Sequence, residues 1–353
     1  INGISLVSAA NIINPDSEIG SGYWAHQYDT TFDWNSKYDA PAGPAYGYSV
    51  NGWANPGGLT SIDRIDYGND TATASPKGNT TINHRRCGGA GNRTHGYIFG
   101  GNGPISIIDR IDYSNDTATG VSVGNLTVGR NYNRSIGNNN FGYDTGGATP
   151  SGPYLSTVER LDYSSDTTNA AAKGPLNETT KSHGAAGNSN YGYIGGGLNP
   201  SGNGKTTVNR IDYSNDTATA SPKGDLASVV EHGAAVGNAS YGYYMGKNSA
   251  PGTSTITRID YSSDTSTSVA KGPLSAARNY SGAMGSQSYG YITGGTPGYF
   301  STVDRIDYSN DTATAAAKGP LSIAKNYHTG VSAQEDGLPS GSTELYTCAL
   351  SPV

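Results

Sequence analysis

The chain has 353 residues and little charge, with only 14% of its residues being Asp, Glu, Lys or Arg. Ordinary soluble domains carry about 25%. Phe and Trp are also scarce, at 4 and 3 residues, but Tyr occurs 26 times. Disordered chains are rich in charge and poor in aromatic residues, so this composition argues for a folded protein.

Basic clusters and long apolar runs are missing as well. The net charge is −6, so we expect no nucleic-acid partner, which would need clustered Lys and Arg. No apolar run approaches the roughly 20 residues of a membrane span, so we expect no membrane insertion. The two cysteines, Cys87 and Cys348, have no metal-binding spacing. A disulfide between them is the less favoured alternative.

A repeat organises most of the chain. Gly supplies 51 residues, about twice the usual share, and separates short segments rich in Thr, Tyr, Ile and Val. The tetrapeptide Arg-Ile-Asp-Tyr, once with Leu in place of Ile, recurs every 46 to 50 residues. Its copies start at Arg64, Arg110, Arg160, Arg210, Arg258 and Arg305. Such a period is typical of stacked supersecondary units.

Each repeat contains four segments, which we interpret as four strands. They are a small-residue stretch, an aromatic-Gly-Tyr segment, the Arg-Ile-Asp-Tyr segment, and a Thr/Ala segment that ends in Lys-Gly in five of the six repeats. The Ser-Asn-Asp-Thr link between the last two has the composition of a turn. Six such units predict an all-β fold, a six-bladed β-propeller.

The order of segments predicts how the ring closes. The first aromatic-Gly-Tyr segment, at Tyr46, lacks a small-residue strand before it, whereas Asn326–Val331 resembles one after the last unit. We therefore expect a C-terminal strand to complete blade 1, which removes the open sheet edges. The predicted organisation is an N-terminal non-repeat flank (1–45), the propeller (46–333) and a C-terminal extension (334–353).

The repeat unit resembles a Kelch repeat. One copy reads Tyr191-Gly192-Tyr193-Ile194-Gly195-Gly196, then Arg210-Ile211-Asp212-Tyr213. Kelch repeats place a Trp about seven residues after their Tyr, where this chain has a small residue, so we expect tyrosine rings to fill that space. The arrays of Arg-Ile-Asp-Tyr-Ser-Asn-Asp-Thr-Ala-Thr are also similar to those of structural proteins of marine tailed phages, especially cyanophages. That resemblance implies a virion component.

Propeller topology divides the loops between two faces. The loops joining strands two to three and four to one lie on one face and carry nearly all the sequence variation, so we place a binding site there. The candidate binding residues in the two-to-three loops are Tyr154, Lys205, Lys247, Tyr299 and Phe300. As an alternative, they are ordinary exposed loop residues.

Cations recur in the four-to-one loops. They are Arg130, Lys181, Arg278 and Lys325. A ring of cations would bind carboxylate, sulfate or phosphate groups. The favoured alternative is that they are solvated or paired with nearby acids.

The remaining repeated polar residues have structural interpretations. The Arg and Asp of Arg-Ile-Asp-Tyr, such as Arg305 and Asp307, predict an ion-pair ladder between blades. Four histidines lie in or near first strands, but their registers differ, so we predict no metal site. They are His84, His183, His232 and His328.

The sequence therefore predicts a non-enzymatic structural or adhesive protein without a cofactor, located on a virion or outside cells. Its expected partners are other structural proteins of an assembly, with a host-surface glycan as a further candidate. Aromatic residues of the flank, Trp24, Phe32 and Trp34, are candidates for attachment. The alternatives are a secreted carbohydrate-binding lectin and a propeller enzyme, either a copper oxidase or a glycan hydrolase.

Overall fold

A computed structural model describes residues 45–247 and 252–334. Most of the predicted flank and the C-terminal extension lie outside the described residues. The attachment candidates Trp24, Phe32 and Trp34 are therefore outside them, as is Cys348. Cys87 is buried, and burial raises the pKa of its thiol to about 12.

The described residues form six four-stranded antiparallel sheets, as predicted for a six-bladed propeller. The strands of blade 1 are β1 (Tyr46–Ala54), β2 (Gly57–Asp66), β3 (Ser75–Asn79) and the C-terminal β24 (Thr329–Ser332); those of blade 2 are β4 (Gly88–Gly91), β5 (His95–Phe99), β6 (Ile105–Asp112) and β7 (Val121–Arg130). The strands of blade 3 are β8 (Arg134–Gly137), β9 (Phe141–Thr145), β10 (Val158–Asp162) and β11 (Ala171–Ala172); those of blade 4 are β12 (Gly184–Gly187), β13 (Tyr191–Gly195), β14 (Val208–Asp212) and β15 (Ser221–Lys223). The strands of blade 5 are β16 (Ala234–Gly237), β17 (Tyr241–Met245), β18 (Ile256–Asp260) and β19 (Val269–Lys271); those of blade 6 are β20 (Gly282–Gly285), β21 (Tyr289–Thr293), β22 (Val303–Asp307) and β23 (Ala316–Lys318).

The C-terminal strand β24 closes the ring, as predicted. It pairs antiparallel with β1, from Gly47 opposite Ser332 to Val50 opposite Thr329. The sheet of blade 1 therefore has the order β24-β1-β2-β3. Blade 1 thus combines the first and last repeat segments, and its four strands match those of the other blades.

A three-residue 3-10 helix follows the third strand of every blade, where the sequence indicated only a turn. These helices are Tyr67–Asn69, Tyr113–Asn115, Tyr163–Ser165, Tyr213–Asn215, Tyr261–Ser263 and Tyr308–Asn310. The Asp of Arg-Ile-Asp-Tyr caps each helix; Asp307, for example, accepts a hydrogen bond from the Ser309 N–H at 2.9 Å. An Asp side chain suits this cap because it satisfies a backbone donor that has no partner in the helix.

Each seam between neighbouring blades is built around one buried aspartate of the Ser-Asn-Asp-Thr link. In the seam of blades 4 and 5, Asp264 lies 2.7 Å from Arg210 and 3.2 Å from Lys223. The hydroxyl of Tyr193 donates to the same carboxylate at 2.9 Å. The equivalent aspartates are Asp70, Asp116, Asp166, Asp216, Asp264 and Asp311.

The predicted ladder between blades therefore exists, but its acid was assigned wrongly. Arg305 of blade 6 pairs with Asp70 of blade 1 at 2.8 Å and not with Asp307. Asp307 instead caps the 3-10 helix of its own blade. The reason is geometric. The carboxylate of Asp307 is held at the 3-10 helix of its own blade, whereas the aspartate of each Ser-Asn-Asp-Thr link lies against the neighbouring blade.

Tyrosine rings fill the seams, as expected from the missing Trp. The second Tyr of each aromatic-Gly-Tyr segment stacks on the helix Tyr of the next blade, as Tyr193 does on Tyr261 at 4.5 Å between ring centroids. The same stack occurs at the ring closure between Tyr291 and Tyr67. Aromatic pairs at such distances add stability beyond the area they bury.

Close backbone approach explains the Gly of each Lys-Gly pair. The N–H of Gly174 donates to the carbonyl of Asp216 in the next blade at 2.8 Å. A Cβ at Gly174 would lie 1.9 Å from the carbonyl oxygen of Ala218. A side chain at this position would therefore push the blades apart.

The only helices in the described ranges are the short 3-10 turns, and none is long and apolar enough to cross a membrane.

Candidate functional site

The loops that join strands two to three and four to one form what we call the variable-loop face. Each first strand begins at this face and contacts the first strands of the neighbouring blades, so the first strands surround the propeller axis. The residues that precede the first strands therefore meet around the axis on this face, whichever blade they come from.

Six residues at this position form a closed circle, which we call the collar. The members are Arg86, Tyr132, Ser182, His232, Tyr280 and Tyr327. Each has a φ between 50° and 61°, in the left-handed region that side chains other than Gly rarely adopt. The backbones explain this conformation, because consecutive members are hydrogen-bonded around the axis. The N–H of Tyr132 donates to the carbonyl of Arg86 at 2.7 Å, for example, and that of Arg86 to Tyr327 at 2.8 Å.

One link of the circle differs from the others. Between blades 4 and 5, the N–H of Gly233 donates to the carbonyl of Ser182 at 3.4 Å, in place of His232. The next two links are regular, from Tyr280 to His232 and from Tyr327 to Tyr280. The hydrogen bonds therefore run from blade to blade around the whole ring.

The collar side chains also contact one another around the axis. Tyr132 and His232 pack edge to face at 5.7 Å, on either side of the small Ser182. The centroid of the Tyr280 ring lies 4.4 Å from that of the His232 ring and 4.2 Å from that of the Tyr327 ring. The guanidinium of Arg86 completes the circle, 4.7 Å from the Tyr132 ring and 4.6 Å from the Tyr327 ring.

Below the collar, the axis is narrow and nearly filled. Small residues of the first strands line a cavity of about 50 Å³, which also contacts Arg134. The Arg134 guanidinium donates to the carbonyls of Gly233 at 3.0 Å and Cys87 at 3.3 Å, and so bridges blades 2, 3 and 5. A cavity of this size holds only a few water molecules. A larger ligand would therefore bind above the collar.

Aromatic and cationic residues of neighbouring loops surround the collar. The guanidinium of Arg85 lies 4.1 Å from the Trp53 ring. The Trp53 indole N–H donates to the hydroxyl of Tyr299 at 3.1 Å. On the other side, the Lys181 ammonium lies 4.3 Å from the Tyr154 ring. The candidates Tyr154, Lys181 and Tyr299 thus lie in one region with the collar.

Three of the four predicted loop cations are buried and paired with acids. Arg130 pairs with Glu159, Arg278 with Asp304 at 3.1 Å, and Lys325 with Asp63 at 3.2 Å. This is the alternative that the sequence favoured. The cation and the acid change together from blade to blade. At the equivalent positions, blade 4 has Thr180 with Asn209 and blade 5 has Val230 with Thr257, and both pairs are uncharged. A buried charge without its partner would be costly, so both members must change.

Lys181 lies one position further along its loop than the other three cations. Its carbonyl and that of Asn131 accept hydrogen bonds at equivalent places, from Leu198 at 2.9 Å and Ala148 at 2.8 Å. This displacement brings Lys181 next to the collar rather than into a buried pair.

The other candidates differ in exposure. Lys205 is buried and pairs with Glu178 at 2.9 Å. Phe300 is half-buried, 5.5 Å from the guanidinium of Arg278. Tyr299 is 40% exposed, and Lys247 is exposed. Ligand binding by these residues stays a prediction.

The four histidines do not converge. His84 lies 3.1 Å from Asp109. His183 and His328 each contact a threonine hydroxyl, and only His232 belongs to the collar. Within residues 45–247 and 252–334, no group of three or more His, Cys, Asp or Glu residues is placed to hold a metal ion.

Burial and charge keep His232 neutral. Burial is the main cause that lowers the pKa of His232, and the positive charges of Arg134, Lys181 and Arg86 lower it further, to about 3. The collar therefore presents a neutral imidazole among three cations at ordinary pH.

Sequence reasoning missed the collar. Its signal was the recurring cation-Asn-Tyr tripeptide at Arg130–Tyr132, Arg278–Tyr280 and Lys325–Tyr327. Only the cation of each tripeptide stood out as a candidate in the sequence. The tyrosine two residues later reaches the axis, because its left-handed backbone turns the chain into the first strand.

The chain matches no known family model and no curated protein. Solved structures match its fold. The structure of YjhT, also a propeller, aligns with a TM-score of 0.60 over 79% of this chain and 99% of YjhT, at 13% sequence identity. At that identity, the likeness shows the fold alone.

Proposed function

We propose that this protein is a non-enzymatic binding scaffold that serves as a structural or adhesive component of a larger assembly. The observation that carries the proposal is the collar and its surroundings. Half-exposed aromatic and cationic side chains of several blades meet there, on the face with the most varied loops. Such side chains contribute most of the binding energy at protein interfaces.

The repeated residues support the same proposal from the other direction. The Arg, Lys, Tyr and Asp of the repeats contact one another in the seams, where they hold the ring together. They are therefore occupied by packing. The residues left for a partner are those that differ between blades.

For the assembly we propose a tailed-phage virion, in which the protein forms part of the tail, neck, fibre or decoration. The Kelch-like units and their similarity to arrays in marine phage structural proteins support this setting. The partners would be other virion proteins or a host-surface glycan, and the protein would be found on particles or outside cells.

Quantitative mass spectrometry of particles purified from the native source tests the proposal. We expect the protein at a fixed copy number per particle. Its absence from particles would overturn the virion setting. A stoichiometric metal retained by the purified protein, together with turnover of a substrate, would favour a propeller enzyme instead.

A collar variant tests which face binds. Tyr280→Ala should reduce incorporation into particles, whereas Asn115→Ala on the opposite face should not. Melting temperatures of both variants show whether each remains folded. Normal incorporation of folded Tyr280→Ala would place the attachment elsewhere.

A further inference from the structure

The arginine and lysine side chains of the described ranges fall into two sets. Most form ion pairs, either in the seams or between the four-to-one loops and buried acids of the third strands. In contrast, no carboxylate of the described residues pairs with Arg85, Arg86, Arg134 or Lys181. All four lie at or next to the collar. Among the described residues, the cations that form no ion pair with a described carboxylate are therefore concentrated around the collar, with the exposed Lys247 on the same face.

Three of these cations lie against aromatic rings at the half-exposed rim. Arg86 packs on Tyr132 and Tyr327, and Lys181 lies 5.2 Å from the Tyr132 ring. Arg85 packs on Trp53 at the side of the collar. The face of an aromatic ring attracts a cation, but it does not accept the hydrogen bonds that the N–H groups of a guanidinium donate in their own plane. Donors of these groups therefore remain for a ligand.

The hydrogen bonding of the two arginines agrees with this. Arg86 donates from Nη1 to the side-chain oxygen of Asn102 at 3.0 Å. The Nε atoms of Arg85 and Arg86 are buried without an acceptor among the described residues, like those of the seam arginines Arg210, Arg258 and Arg305, so a ligand would reach only the other guanidinium nitrogens. Burial and the charge of Arg86 also lower the pKa of Arg85. An anion bound here would supply acceptors and reduce the repulsion between the two guanidinium groups.

One acid occurs at the same loop position as Arg85 and Lys181, but it lies toward another loop. The carboxylate of Glu231 lies beside Gly204, 3.0 Å from where a Cβ of that residue would be. The charged groups with which His232 interacts are all cations. The electrostatic potential at the collar is therefore expected to be positive.

We propose that the collar binds an acidic saccharide. Carboxylate or sulfate groups would be bound by Arg85, Arg86 and Lys181, and the apolar C–H face of a sugar ring would pack on the half-exposed rings of Tyr132, Tyr280 or Tyr327. The combination of separated cations with aromatic surface favours a sugar over a nucleic acid, whose closely spaced phosphates need a larger basic surface. The inference rests on the proposed function, because it names the ligand class of the same face.

Binding of defined oligosaccharides to the full chain, measured by calorimetry, tests the proposal. The probes are oligogalacturonate for carboxylate, a carrageenan oligosaccharide for sulfate, and a maltooligosaccharide of equal length as the neutral control. We expect at least one acidic probe to bind at least ten-fold more tightly than the neutral control. Its affinity should fall as salt increases. Equal binding of acidic and neutral probes, or no binding of either, would overturn the proposal.

Variants assign the site. Arg86→Gln, Arg85→Gln and Lys181→Gln should each weaken binding of the acidic probe by about ten-fold or more. Arg93→Gln, which removes one charge on the opposite face, should change it less than two-fold. Because Arg86 packs within the collar, the other two variants keep the test valid if Arg86→Gln is unfolded. Unchanged affinity in folded Arg85→Gln and Lys181→Gln would overturn the proposed site.

Two further outcomes separate this inference from others. Polyglutamate that competes as well as the acidic sugar would show a general anion surface and would overturn the saccharide assignment. A protein that keeps its fixed copy number on particles but binds no acidic sugar would overturn this inference alone. Sugar binding by a protein absent from particles would overturn the virion setting alone.

Discussion

The seams and the collar use the same sixfold backbone in opposite ways. Every seam repeats an Arg and a Tyr around one aspartate, and five of the six add a Lys that is Val123 in blade 2, whereas the collar repeats only a backbone conformation and places Arg, Tyr, Ser or His on it. Neighbouring blades meet in the same geometry six times, so the same contacts solve the packing problem each time. The collar positions share only the need to turn into the first strand, so their side chains are free to differ between blades. Identity between repeats therefore marks structural residues, and variation on a uniform backbone marks candidates for function.

Removing the seam aspartate should have the largest effect on stability. Asp264→Ala should lower the free energy of unfolding by about 3 kcal/mol, because it leaves Arg210 and Lys223 without their shared acid. Asp260→Ala is the matched control; it removes only a helix cap and should cost about 1 kcal/mol. Urea unfolding of both variants measures the difference. Equal losses would show that the seam aspartate has no special role.

A methyl group at the seam should have the next largest effect. Gly174→Ala should cost about 2–3 kcal/mol, because its Cβ would overlap the backbone of the next blade. Gly57→Ala is the control, since nothing lies within 4 Å of a Cβ at that position. Urea midpoints of the two variants make the comparison. A destabilised Gly57→Ala with an unaffected Gly174→Ala would contradict the seam geometry.

Acid should act on the collar before it acts on the seams. The unfolded chain binds a proton at a histidine near pH 6.5, but folded His232 does so only at about pH 3. Stability should therefore fall as the pH decreases from 7 to 4.5, by about 2 kcal/mol for this residue. His232→Gln should lose correspondingly less stability over the same interval. An unchanged pH dependence in this variant would mean that His232 binds its proton at the same pH in the folded and unfolded chains.

The seam should respond only in stronger acid. Burial opposes ionisation of Asp264, but hydrogen bonds from Tyr193 and Lys223 and the charge of Arg210 outweigh it and lower the pKa of the carboxyl. Because its folded pKa is lowered, its contribution is kept above the ordinary Asp pKa near 4 and lost below it. The histidine and aspartate effects can thus be separated by pH.

Changes at the rim should have the smallest effect on stability and a clear effect on binding. The double variant Tyr154→Ser with Tyr299→Ser should cost about 0.5 kcal/mol per site or less, because both side chains are partly exposed. It should reduce retention on purified particles. Melting temperature and co-sedimentation with particles measure the two effects. A large loss of stability with normal retention would show that the rim is structural.

The repeat made most of the fold predictable. The Arg-Ile-Asp-Tyr interval gave six blades, and Asn326–Val331 gave the closing strand, because strand segments between turn residues are local features of the chain. The candidate site was predictable only in part. Its face followed from loop variation, and Tyr154, Lys181 and Tyr299 do lie near the collar. The collar itself was missed, because its members are about 50 residues apart in sequence and meet only around the axis.

The sequence by itself determined the number of blades, their strand order and the closure of the ring, since each depends on patterns within or between repeats. The tertiary structure alone decided the partner of each charge. Arg305 pairs with Asp70, which is 235 residues away, and not with the nearby Asp307. It also decided that Arg130 is buried in an ion pair while Lys181, in a similar loop, lies beside the collar. A displacement of one residue in a loop changes which side chain points to the axis, and burial then makes the choice of partner energetically decisive.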